Sequence, residues 1–199
     1  MASKGKKKIS LRDLTAQLPD ENEILPEILG DSDQACALVS VAILDRALMA
    51  LLTTQMAKVG DDDLKPMFYG MTAFLGSFSN KIRLCLALGL ITKKQATHLN
   101  TMREIRNYFA HALGPPRFDV SEVVKECASL WPDDAPVPKK TLHLPPARIK
   151  FLARWRAFSR ELTAAYVDLL LKSGVLSHEE VASIAAEIRT AQDSNGSNS

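Results

Sequence analysis

Three kinds of residue are scarce in this chain, and each scarcity removes a class of protein. Cysteine occurs three times in 199 residues, at Cys36, Cys85 and Cys127. An odd, widely spaced set builds neither a disulfide framework nor a zinc site. Each cysteine falls on the apolar stripe of a predicted helix, the usual place for a small buried hydrophobe, and a reducing cytoplasm suits all three. Aromatic residues make up only 6%. The apolar mass lies in Ala, Leu, Val and Ile, a mixture that favours helix over sheet. An excess of one charge is missing too: 25 basic and 23 acidic residues leave a net +2. That balance gives no broad electrostatic ground for a nucleic-acid partner.

Membrane and catalytic signatures are also absent. The longest apolar stretch, ACALVSVAILDRALMALL, carries Asp45 and Arg46 in its middle, which argues against a membrane span. The basic start MASKGKKKISLRD has no apolar segment behind it, so no signal peptide is read there. A soluble cytoplasmic protein is expected. There is no phosphate-binding loop, dinucleotide fingerprint, nucleophile elbow or zinc-protease motif. The histidines His98, His111, His143 and His178 are scattered, so no metal and no cofactor is expected.

What the chain does have is helical periodicity with clear stops. A Lys-rich tail and a short helix over 11–18, capped by Ser10 and ended by Pro19, occupy residues 1–20. One helical domain is expected over 21–192. Asp31 or Ser32 caps a helix in which Cys36, Val39, Ile43, Ala47, Leu48, Leu51 and Leu52 make a wide apolar face, running to about residue 58. Asp61, Asp62 and Asp63 lack the glycine and closing glutamate of a calcium loop and are read as the cap of a short helix with Leu64 and Met67. Gly70 and Gly76 bracket a turn. Ser77 or Ser79 opens a helix that carries Lys81 and Arg83 and stops at Gly89. Thr92-x-x-Gln95 is a capping box for a helix over 93–111, closed by Gly114, Pro115 and Pro116. Ser121 is expected to cap the next helix. A Pro-rich crossover spans 131–147, a long helix follows to 172, and Ser177-x-x-Glu180 boxes a last helix ending near Gln192. Residues 193–199 read as a disordered tail. The expected fold is all-α: a multi-helix bundle with one long Pro-rich crossover before the last two helices.

The segment Arg106-Asn107-Tyr108-Phe109-Ala110-His111 is the one place where chemistry gathers. At about 100° per residue, Met102, Ile105, Phe109 and Leu113 share one face, Arg103, Asn107 and His111 line the opposite one, and Arg106 stands at the border. A guanidinium that binds phosphate, an amide and an imidazole that titrates near neutrality are the groups needed to cleave RNA without metal. DNA lacks the 2′-hydroxyl and would not be cut this way. The same residues would equally complement a helix C-terminus. Arg103, Lys81 and Arg83 are further candidate binding cations.

GDSDQACALVSVAILDRAL, GSFSNKIRLCLALGLI and LNTMREIRNYFAH followed by FDVSEVV resemble the mannitol operon repressor family (MtlR-like proteins) over roughly residues 29–130. The resemblance implies an all-helical cytoplasmic regulator of sugar-alcohol uptake genes that lacks an evident DNA-binding domain. VLSHEEVASIAAEI looks like the first helix of a helix-turn-helix, but the chain then runs into AQDSNGSNS with no recognition helix. Binding to a protein, a transcription factor or transport component, is therefore expected. The Arg-x4-His spacing also resembles the HEPN superfamily, which implies a metal-independent endoribonuclease, a toxin or defence component, with Arg106 and His111 as the active pair and Asn107 as their polar neighbour. Active members usually build that site across a homodimer, and RNA is then the partner.

Overall fold

The computed structural model describes residues 28, 30, 32–56, 58–130, 144–183 and 186. The Lys-rich tail, the short helix over 11–18, most of the Pro-rich crossover, the end of the last helix and the tail after it lie outside these residues. The described residues hold six helices: α1 Asp33–Gln55, α2 Asp61–Phe68, α3 Phe78–Ala87, α4 Lys93–His111, α5 Ser121–Leu130 and α6 Pro146–Lys172. A further helical stretch covers 178–183. No strand occurs among them, and the fold is the expected all-α bundle.

α1 is the axis of the molecule. Helices α3, α4, α5 and α6 form an arc in which each touches the next, and α1 packs on α3, α4 and α6. This position explains its composition. Its buried residues, from Cys36 and Ala37 to Leu52 and Thr53, lie on almost every side of the helix, as a central helix requires. α1 is long and apolar enough to cross a membrane, but 61% of its most apolar window is buried inside the protein. Small residues, Ala37, Ser40, Ala47 and Ala50, are among those it buries.

Local signals place the helix ends. The Ser32 hydroxyl accepts from Ala35 N–H at the start of α1. Thr92 and Gln95 form both halves of their capping box. Gly89 and Gly174, each with φ +70, close α3 and α6 with six-to-one bonds, Leu90 N–H to Cys85 O and Val175 N–H to Leu170 O. Three local expectations shift. α1 ends at Gln55 rather than near 58. Gly60 is the cap of α2, and the three aspartates occupy its first turn, where they complement the positive end of the helix. Ser121 is the first residue of α5, with its hydroxyl donating to Glu122.

Leu113 is a larger departure. Its spacing puts it with Met102, Ile105 and Phe109, which are buried, yet Leu113 is fully exposed. Ala112 turns extended (ψ 133), and the chain leaves the helix before the periodicity can carry Leu113 inward. The buried Phe118 lies between Phe109 and Phe151 instead, its ring tilted against both with centroids 4.7 and 5.3 Å away.

Candidate functional site

α4 carries the RNYFAH segment, and its terminus is fastened from outside. Gln34 at the start of α1 donates its side-chain N–H to Phe109 O at 3.0 Å, satisfying one of the carbonyls a helix end leaves open. Ala96, Leu99, Met102, Ile105 and Phe109 face the core. Of the rest of the last turn, Arg106 and Asn107 are half-buried, and Tyr108, Ala110 and His111 are exposed. Among the described residues, the side chains of Arg106, Asn107 and His111 have no hydrogen-bond or ion-pair partner. Arg103, on the same stripe as Asn107, pairs with Glu104.

Helix geometry sets what these groups can do together. Asn107 and His111 stand about 40° apart around the axis, while Arg106 and His111 are about 140° apart and about 7.5 Å along it. The amide and imidazole share one outward stripe. The guanidinium leaves from the edge of the core face on another side of the helix. One copy of the chain therefore presents two separate features rather than one convergent pocket.

Beside this turn lies a groove that no sequence motif announces. Glu104, Ile105 and Tyr108 of α4 face Glu122, Val123 and Glu126 of α5 across a space of about 290 Å³. Ile105 and Val123 are its buried floor, and the Tyr108 ring is a half-exposed wall. The Ser121 hydroxyl bond holds the Glu122 carboxyl below its usual range. A carboxylate-lined groove repels phosphate and attracts ammonium or guanidinium groups, and an exposed tyrosine face adds a cation–π partner. Only the i, i+4 spacing of Glu122 and Glu126 around Val123 hinted at it. The register of α5 on α4 decides the rest, and periodicity within one helix is silent about that.

The remaining candidate cations do not join the turn. Lys81 is 4% exposed. Its Nζ donates to both carboxylate oxygens of Asp45 at 2.8 Å, tying α3 to α1. It is a strut inside the bundle, not a surface ligand. Arg83 points outward from α3. The Lys81–Asp45 pair borders a second cleft of about 420 Å³, lined also by Arg46, Met49, Phe68, Tyr69 and Gly76.

A polar knot that no sequence motif announces joins α4 to α6. The Arg154 guanidinium lies 4.0 Å from the centre of the Phe158 ring, and the His98 ring meets the same ring edge-on at 6.4 Å. Gln95 donates to Glu161 at 2.7 Å, and Arg154 faces the other oxygen of that carboxylate at 3.6 Å. His98 Nδ1 is buried and unpaired. Burial, then the Arg154 and Lys94 charges, lower the pKa of His98 against the pull of Glu161. Among the described residues no three His, Cys, Asp or Glu side chains converge as metal ligands.

No protein-family model, no curated protein and no solved structure matches the chain.

Proposed function

We propose that the chain is an MtlR-like helical regulator, acting in the cytoplasm, that represses sugar-alcohol uptake genes by binding a protein rather than by reading an operator. The groove between α4 and α5 carries this reading. Glutamates over an apolar floor, with a tyrosine wall, fit a basic segment of a protein and oppose a phosphate backbone. The partner expected is a transcription factor or transport component that presents an arginine or lysine there.

Affinity capture from cells tests this with the full chain and a Glu122→Lys/Glu126→Lys variant. The wild type should retain such a partner in a salt-sensitive manner, and the variant should lose it. Equal capture by both, or recovery of the chain alone, overturns the reading. A gel shift with DNA should be weak and strongly salt-dependent, the signature of contact through Lys4 to Lys8 alone.

A HEPN-type endoribonuclease is the second reading. It is favoured by one observation, the unpartnered Arg106, Asn107 and His111 with His111 exposed. The angle between guanidinium and imidazole means that such a site would need a second copy to complete it. RNA incubated in EDTA with the wild type, Arg106→Ala and His111→Ala separates the two readings. No cleavage by any of them leaves the regulator; cleavage by the wild type alone establishes the nuclease.

A further inference from the structure

The connection between α2 and α3, residues 69–77, ties its backbone with hydrogen bonds and turns its largest side chains outward. Leu75, 1% exposed, plugs it into the core. Leu75 N–H bonds Met67 O at 2.8 Å, Gly76 N–H bonds Ala73 O at 3.0 Å, and the Asn80 side-chain amide donates to Phe74 O at 2.6 Å. Gly70 makes the reversal with φ +113, and a Cβ on Gly76 would lie 3.0 Å from Ala73 O. On this frame Tyr69 is 51% exposed, Phe74 54% and Met71 fully so. The cleft bordered by Met49, Phe68 and Tyr69 opens beside them, and the Tyr69 hydroxyl reaches Met49 Sδ at 3.7 Å.

We propose that this face is the docking surface for a second copy of the chain, with Met71 and Phe74 of each copy entering the cleft of the other about a two-fold axis. A two-fold interface needs one patch that is complementary to itself, and here the projecting side chains and the hollow are neighbours on a single patch. The three side chains offer about 400 Å² per copy, so two copies with their rims approach the lower limit of roughly 1,000 Å² for a specific interface. The hydrogen-bonded frame pre-organises them, so little loop freedom is lost on docking. The rim's Asp45 is already held by Lys81 within its own chain, and Arg46 beside it also makes an interaction of its own, so a two-fold axis brings no bare like charges together. The surface is independent of the regulator reading. The α4 terminus meets α1 at Gln34, and the cleft meets it at Met49. These points are about 20 Å apart along the helix, so a dimer formed here leaves both α4–α5 grooves open.

Sedimentation equilibrium of the full chain is the test, run from about 1 to 100 µM, where a modest interface reports itself. The wild type should show twice the 21.9 kDa chain mass. Met71→Asp and Phe74→Asp should weaken the dimer at least tenfold. Leu113→Asp, an equally exposed apolar position at the other end of α1, should leave it unchanged. Met71 has no packing to lose, so an unaltered thermal melt will accompany its variant. A wild type that stays monomeric throughout overturns the proposal. So does a dimer that survives both aspartate variants, or one that Leu113→Asp dissociates.

Discussion

Arg148 is the residue on which three parts of the chain converge. It is 6% exposed at the start of α6. It donates to Asp33 Oδ1 at 3.0 Å and to Ile28 O at 2.8 Å, while Asp33 Oδ2 accepts Phe118 N–H at 3.0 Å. The segment before α1, the loop before α5 and the start of α6 are thus held by one buried ion pair. Removing one member of such a pair strands the other. Arg148→Met should therefore cost about 3 kcal/mol, read from urea unfolding. Arg148→Lys should fall between, because an ammonium lacks the planar fork that serves both acceptors. A loss below about 1 kcal/mol for the methionine variant would mean that packing alone holds the three parts. His98 makes a different statement, about pH. Its pKa is lowered in the bundle by burial first, then by Arg154 and Lys94. Between the folded value and the unfolded value of about 6.5, the unfolded chain binds more protons. Its contribution is therefore complete above about pH 6.5 and is lost as pH falls through the folded value. The melting temperature should drop between about pH 7.5 and 5.5, and drop less in His98→Gln. Equal drops would place the loss elsewhere. Glu122 and Glu180, whose pKa values are also lowered, lose their contribution only in the more acidic carboxylate range.

Between elements, the Lys81–Asp45 pair fixes where α3 sits on α1. Lys81→Met should cost about 2–4 kcal/mol, because it leaves a carboxylate at the interface without its cation. Lys81→Met with Asp45→Leu should recover most of that loss, since the stranded charge goes too. Chemical denaturation of the single and double variants checks this, and strictly additive losses would exclude coupling. This pair also shows what the sequence left unreadable. Helix ends were legible because capping is local: Ser32, the Thr92–Gln95 box and Gly89 act on residues within one turn. Core faces were legible for the same reason, with Met102, Ile105 and Phe109 buried as their spacing predicts. Lys81 read as a surface cation because its partner is 36 positions away. Arg148 went unremarked with its partner 115 away. The acidic groove needs the register of α5 on α4. In the candidate turn, spacing puts Arg103, Asn107 and His111 on one stripe, but the exposure of His111 depends on how the neighbouring helices pack.

At the scale of the whole molecule, the cysteines report whether the bundle opens as one body. Cys36, Cys85 and Cys127 lie on α1, α3 and α5, and each is fully buried. All three belong to the same core cluster, which extends from Ile28 to Leu162. Burial pushes their pKa values up to about 11, 12 and 12; Arg148 opposes the shift at Cys36, and Lys81 opposes it at Cys85. A thiol reagent needs an exposed thiolate, so each site must wait for an opening. If α1 is the common axis, α3 and α5 cannot leave it separately without exposing the same apolar interior. Exchange should then proceed by global unfolding at every site. Variants retaining one cysteine each should react with an aromatic disulfide at rates that agree within a few-fold, once thiol chemistry in the unfolded chain is allowed for. Those rates should rise with urea along the slope of equilibrium unfolding. α5 gives the test its force, because its main packing is against α4 and α6 rather than against the axis. A Cys127 rate that is fast and nearly independent of urea would mean that α5 detaches alone. The α4–α5 groove would then be a hinge rather than a preformed wall. Matching rates at all three positions would mean that the groove is as permanent as the core behind it.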